Sequence, residues 1–95
     1  MNKSESEILL ITQEECAEVT QAISKVFRFG SDHFYNGVSN KAHLSEEVGD
    51  LMCMIQLMID RKLVDADAVE HAKKAKLEKL NKWSGVFNVE ETTNN

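Results

Sequence analysis

The chain has 95 residues, a formal net charge of −5, no proline and four glycines. That length suits one small domain with a thin core, and the acidic balance argues against the basic surface on which sequence-independent binding to a nucleic-acid polymer depends. Plentiful Ala, Leu, Lys and Glu beside so few turn formers exclude a sheet-based architecture and predict an all-α fold.

In chain order, Ser4 and Glu7 have the spacing of a capping box, and Ile8, Ile11, Val19, Ala22, Val26 and Phe29 recur at helical intervals. A first helix is therefore expected over about residues 5–29. Gly30, Ser31, Asp32, Asn36, Gly37, Ser39 and Asn40 then crowd an interval that also holds Phe34 and Tyr35, which reads as an ordered loop. A second helix is expected to start between Lys41 and Leu44 and to reach about Lys62. Its stretch from Leu51 to Ile59 is apolar almost all the way round, so it calls for burial on every side. One short chain supplies too little cover for it, and a subunit interface with Met side chains filling the gaps is expected. Asp65 or Asp67 can cap a third helix carrying Val69, Ala72, Leu77, Leu80 and Trp83, which should end at Ser84-Gly85.

The expected architecture is a single domain over residues 1–95. It is an antiparallel bundle of three to four main helices completed by homo-oligomerisation, with residues 86–95 as a flexible tail. Cys16 and Cys53 lie in apolar segments without C-x-x-C spacing, which suits buried, reduced thiols in a cytoplasmic protein. The polar start resembles no leader, and the longest apolar run, Leu51 to Ile55, is too short to span a bilayer.

Two acidic clusters carry the chemistry: Glu14-Glu15-x-x-Glu18 and Glu46-Glu47-x-x-Asp50. A solvated helix pairs Glu with Lys or Arg one turn away, whereas Glu14/Glu18 and Glu46/Asp50 are like-charged neighbours. In steps of three and four the first helix has a seam of Ile11, Glu15, Glu18, Ala22 and Val26, and the second has Leu44, Glu47, Leu51, Met54 and Met58 with Asp50 beside it. Antiparallel packing would bring Glu15, Glu18, Glu47 and Asp50 together as four oxygen ligands for one cation. Hard oxygen donors without His or Cys suit Mg²⁺, with Mn²⁺ as a substitute, and Mg²⁺ commonly joins carboxylates to substrate phosphates. A di-iron bundle would require E-x-x-H, and no His stands three residues after a Glu. His33, His43 and His71 read as loop or surface residues. One E-x-x-E alone is usually a solvated face; two on facing seams argue for a site.

These motifs, with Leu44-Ser45-Glu46-Glu47-Val48-Gly49-Asp50-Leu51 around the second, resemble the MazG-like all-α nucleoside triphosphate pyrophosphohydrolases, whose signature is E-x-x-E followed by E-x-x-D. The similarity runs from about Ile8 to Trp83. It implies Mg²⁺-dependent cleavage of a (d)NTP between the α and β phosphates to a monophosphate and pyrophosphate, in a dimer or dimer of dimers. Glu15, Glu18, Glu47 and Asp50 would hold metal. Glu14, Glu46 or an imperfectly engaged ligand would orient or deprotonate the attacking water. Relatives carry a phosphate-gripping K-x-x-K-N stretch on the last long helix; here Lys73, Lys76, Lys79 and Asn81 stand there, with Asn81 one position out of phase. A solvated lysine face explains any one of those lysines equally well. Lys25, seven residues beyond Glu18, can reach a triphosphate or simply favour the C-terminal end of its helix. Among Phe27, Phe29, Phe34, Tyr35 and Trp83, most are expected in the core and one or two on a base.

A Mg²⁺-dependent (d)NTP pyrophosphohydrolase is thus the leading expectation, with house-cleaning of the nucleotide pool and adjustment of normal nucleotides both open as its role. A phosphoribosyl-ATP pyrophosphohydrolase is an alternative on the same fold. A non-catalytic helical oligomerisation module is the alternative of another class.

Overall fold

A computed structural model describes residues 1–88. The fold is all-α, with three helices among the described residues: α1 (Lys3–Phe29), α2 (Asn40–Asp60) and α3 (Ala66–Trp83). The tail expected over 86–95 falls mostly outside the described residues. Two compact units make up the chain, one ending at Leu63 and the other starting at Val64.

The first unit holds α1 and α2. Helix α1 starts earlier than the Ser4–Glu7 spacing suggests, because Asn2 and Glu5 form the capping box instead. The Glu5 amide donates to Asn2 Oδ1 and the Asn2 amide donates to Glu5 Oε1, each at 2.8 Å. The same motif two residues upstream satisfies the orphan donors of a longer helix. Gly30 stops α1 with φ 93° and ψ 151°, a backbone region essentially reserved for glycine, while its amide still donates to the Val26 carbonyl.

The interval between the helices is more regular than a loop. Strands β1 (Phe34–Tyr35) and β2 (Val38–Ser39) pair antiparallel, with Tyr35 opposite Val38. Asn36 and Gly37 both adopt positive φ, as a two-residue hairpin connection with matching twist requires. Ser39 then caps α2, its Oγ accepting from the Ala42 amide.

Helices α1 and α2 run antiparallel along three rungs. At one end the Asn40 side chain bonds to carbonyls of Lys25 and Gly30, midway Glu15 meets Glu47 and Asp50, and at the far end Arg61 Nη2 donates to Ser4 Oγ at 2.9 Å. The covered face of α1 follows Ile8, Thr12, Glu15, Val19, Ala22 and Val26, a strict alternation of four- and three-residue steps. On α2 the expected seam of Leu44, Glu47, Leu51, Met54 and Met58 is partly buried throughout.

The core of this unit is thin. Ile8 and Ala22 are its buried apolar side chains, and Thr12 joins them by donating its hydroxyl to the Ile8 carbonyl at 2.7 Å. The apolar girdle of α2 is not enclosed within the chain: Met52 is 63% exposed, and Cys53, like Cys16 on α1, is exposed rather than buried as expected, because the thin core leaves both helices with uncovered faces. The expectation that most aromatics would be core residues is also overturned, since Phe27, Phe29, Phe34, Tyr35 and Trp83 are all exposed. Within the first unit, two helices and a four-residue sheet provide no layer to cover the four phenylalanine and tyrosine rings.

The second unit consists of α3, capped by Asp65 through a 2.8 Å bond from the Ala68 amide and ended by Ser84. Of the two candidate caps, Asp67 lies inside the first turn, where its charge favours the positive end of the helix dipole. No helix among the described residues is long and apolar enough to cross a membrane.

Candidate metal centre

Glu15 on α1 faces Glu47 and Asp50 on α2, and one carboxylate oxygen from each lies within 4.8 Å of the others. The arrangement follows from periodicity. Glu15 belongs to the covered seam of α1 and Glu47 to that of α2, while Asp50, one turn beyond Glu47, comes in from the exposed edge. Glu18 is exposed and is not one of these three. The seam steps from Glu15 to Val19, so Glu18 sits about 100° round the helix from the next covered position.

Burial pushes the Glu15 carboxyl above its ordinary range, and the charges of Asp50, Glu47, Glu18 and Glu14, in that order, push it further. Every acidic residue of both E-x-x-E/D motifs therefore acts on the same side chain. Exposed Glu14 enters as a neighbouring charge. The donor set is wholly anionic oxygen at a spacing a single hard cation can bridge, so these residues fit Mg²⁺ or Mn²⁺ and offer nothing for a thiophilic metal.

Next to this cluster lies a cleft of about 710 Å³, bordered by Lys25 and Phe29 of α1, Tyr35 and Val38 of the hairpin, and His43 and Glu46 of α2. Two of the expected site residues, Lys25 and Glu46, thus border one cavity. Its aromatic wall is preassembled: the Phe29 and His33 rings stack with centroids 5.4 Å apart, and the Arg28 guanidinium lies 5.0 Å from the Phe29 ring.

Two contributors escape a reading by motif. His43, expected as a plain surface residue, borders the cleft and sets its Nε2 3.5 Å from Glu47 Oε2. Its four-residue spacing from Glu47 was the available signal. Asn40, expected only as a turn former, is buried, and its Nδ2 donates to the Gly30 carbonyl at 2.9 Å and the Lys25 carbonyl at 3.4 Å.

Lys73, Lys76, Lys79 and Asn81 are exposed on α3 in the second unit. Lys73 pairs with Glu70 at 3.5 Å, the local contact of a solvated helix face. The residues bordering the cleft all come from the first unit.

No curated protein and no solved structure shows significant similarity to the chain. The family model of the MazG nucleotide pyrophosphohydrolase domain, however, matches residues 3–84, spanning α1, the hairpin, α2 and α3. With the paired acidic motifs facing each other across α1 and α2, this chain belongs to the MazG nucleotide pyrophosphohydrolase family.

Proposed function

We propose that the protein is a Mg²⁺-dependent pyrophosphohydrolase that cleaves a (d)NTP between its α and β phosphates, releasing a (d)NMP and pyrophosphate. The observation that carries this reading is the three-carboxylate cluster of Glu15, Glu47 and Asp50 beside a cleft bordered by Lys25 and aromatic side chains. Members of the family are generally metal-dependent, which agrees with that donor set.

In this reading Glu15, Glu47 and Asp50 hold the metal, with Glu18 added from the edge of α1. The ion, when bound, supplies positive charge against the phosphate oxygens. The chain's own residues do the rest. Lys25 binds the phosphate chain at the mouth of the cleft, and the Phe29–Tyr35 wall receives the base. Glu46, which borders the cleft, is favoured over Glu14 as the group that orients the attacking water and takes its proton. The bond from the α phosphorus to the bridging oxygen breaks as water adds, and pyrophosphate leaves. Lys73, Lys76, Lys79 and Asn81 form the proposed second set of phosphate ligands, on the strength of the family resemblance of their helix.

We read residues 1–95 as one functional domain because the family match spans both compact units. The exposed apolar residues of α2 support a homo-oligomer, and removal of unwanted nucleotides in the cytoplasm is the role that fits such an activity. The test is pyrophosphate release from a nucleotide panel with Mg²⁺. Wild-type turnover should fall on the order of 100-fold or more in Glu47→Gln and Asp50→Asn, given that even outer-shell changes at metal sites cost 10- to 100-fold. Orthophosphate as the product would refute α–β cleavage. Turnover confined to phosphoribosyl-ATP would transfer the assignment to that substrate.

A further inference from the structure

The Asn40 side chain is an isolated acceptor in the wall of the cleft. It is 5% exposed, it borders the cavity, and both of its amide hydrogens are directed at backbone carbonyls, those of Gly30 and Lys25. Two carbonyl partners admit only the NH₂ end of the amide, so the orientation of the group is fixed by chemistry. Its Oδ1 meets no donor among the described residues. Yet no side-chain nitrogen or oxygen that is fully buried there lacks a partner, so Oδ1 retains accessible surface, and Asn40 is one of the residues that border the cavity. Backbone hydrogen bonds tie the frame around it: the Asn40 amide donates to the His33 carbonyl and the Lys41 amide to the Ser31 carbonyl, each at 2.9 Å.

We propose that Asn40 determines base specificity, its Oδ1 accepting from an exocyclic amine, so that amino-bearing bases are preferred over their keto counterparts. The inference rests on the proposed nucleotide reading of the cleft. An amine projects beyond the ring and reaches a lone acceptor unobstructed. The ring N–H of uracil is flanked by two carbonyl oxygens, which would face Oδ1 with no free Asn40 donor to balance them. Placing acceptor against acceptor in a partly apolar cavity loses the hydrogen bond and leaves both groups desolvated.

The experiment compares α,β-methylene triphosphates, which resist α–β cleavage, in two matched pairs: cytosine against uracil and adenine against hypoxanthine, on the same sugar. Binding to the full chain with Mg²⁺ is measured calorimetrically, and the Asn40 side-chain amide is followed by ¹⁵N NMR. The amino member of at least one pair should bind about tenfold tighter or better, and its addition should shift the Asn40 amide signal. Equal affinities within both pairs, or a keto preference, overturn the inference. An amino preference that leaves the Asn40 signal unmoved overturns the role of this residue. Pyrophosphate release from ordinary triphosphates without base discrimination leaves the hydrolase reading intact and removes this one. Discriminating binding without any pyrophosphate release does the reverse.

Discussion

Glu15 concentrates the electrostatics of the site. Its carboxyl titrates above its ordinary range because it is desolvated and because four other carboxylates bear on it. A raised carboxyl means the folded state holds the proton more tightly than the unfolded chain. The stabilising contribution is therefore complete below the ordinary carboxylate range and is lost as pH rises through the raised value. For metal-free protein, the melting temperature of Glu15→Gln should accordingly rise relative to wild type across that window, as followed by circular dichroism. A constant difference between the two at all pH values would show that Glu15 is not under strain. Mg²⁺ should reverse the wild-type trend, because a cation competes with the proton and stabilises the protein more as pH rises. A second residue-scale expectation concerns Asn40: replacing this buried side chain with Ala removes its two hydrogen bonds to the Lys25 and Gly30 carbonyls and should cost about 1–3 kcal/mol in urea unfolding.

At the scale of elements, the boundaries of α1 depend on Asn2 and Gly30. Asn2→Ala removes one half of the capping box and should destabilise by about 1 kcal/mol. Gly30→Ala should cost more, about 1–3 kcal/mol. No atom obstructs an added Cβ there, so the penalty comes from φ 93° and ψ 151° alone. Equal effects of the two substitutions on denaturant midpoint would contradict this ordering. The hairpin was open to a sequence reading: Asn36-Gly37 between Tyr35 and Val38 is a strong two-residue turn signal. Grouping it with the surrounding Gly, Ser and Asn residues obscured it, because a loop and a two-residue ladder share the same turn chemistry. The capping box was displaced for a similar reason, since Asn2/Glu5 and Ser4/Glu7 offer equivalent spacing and the upstream pair completes an extra half-turn.

For the whole molecule, the central quantity is apolar surface. A first unit with Ile8 and Ala22 as its buried apolar residues leaves Leu10, Phe27 and Met52 more than half exposed, an amount of bare surface that self-association would cover. Light scattering should give a mass near a multiple of 10.7 kDa, in keeping with the proposed oligomer. Met52→Glu should shift that mass toward the single chain while leaving the helical circular dichroism of the dissociated protein in place. A wild-type mass of one chain would remove the oligomer from the proposed function.

The sequence by itself determined the helical class, the order of the three helices, the α2 seam and the family, because helical periodicity and the spacing of carboxylates are local properties of the chain. It also offered Glu15, Glu18, Glu47 and Asp50 as one candidate set on helical spacing alone, without ranking Glu18 below the other three. Only the tertiary structure decided that the α1 seam runs through Thr12 and Val19, leaving Glu18 at the edge. A one-residue change of phase turns a helix by about 100°, and facing side chains select that phase. Tertiary structure also brought Lys25, Tyr35 and Glu46 around one cleft and buried Asn40 in its wall. Those residues come from different elements, and no spacing along a chain encodes which of them will meet.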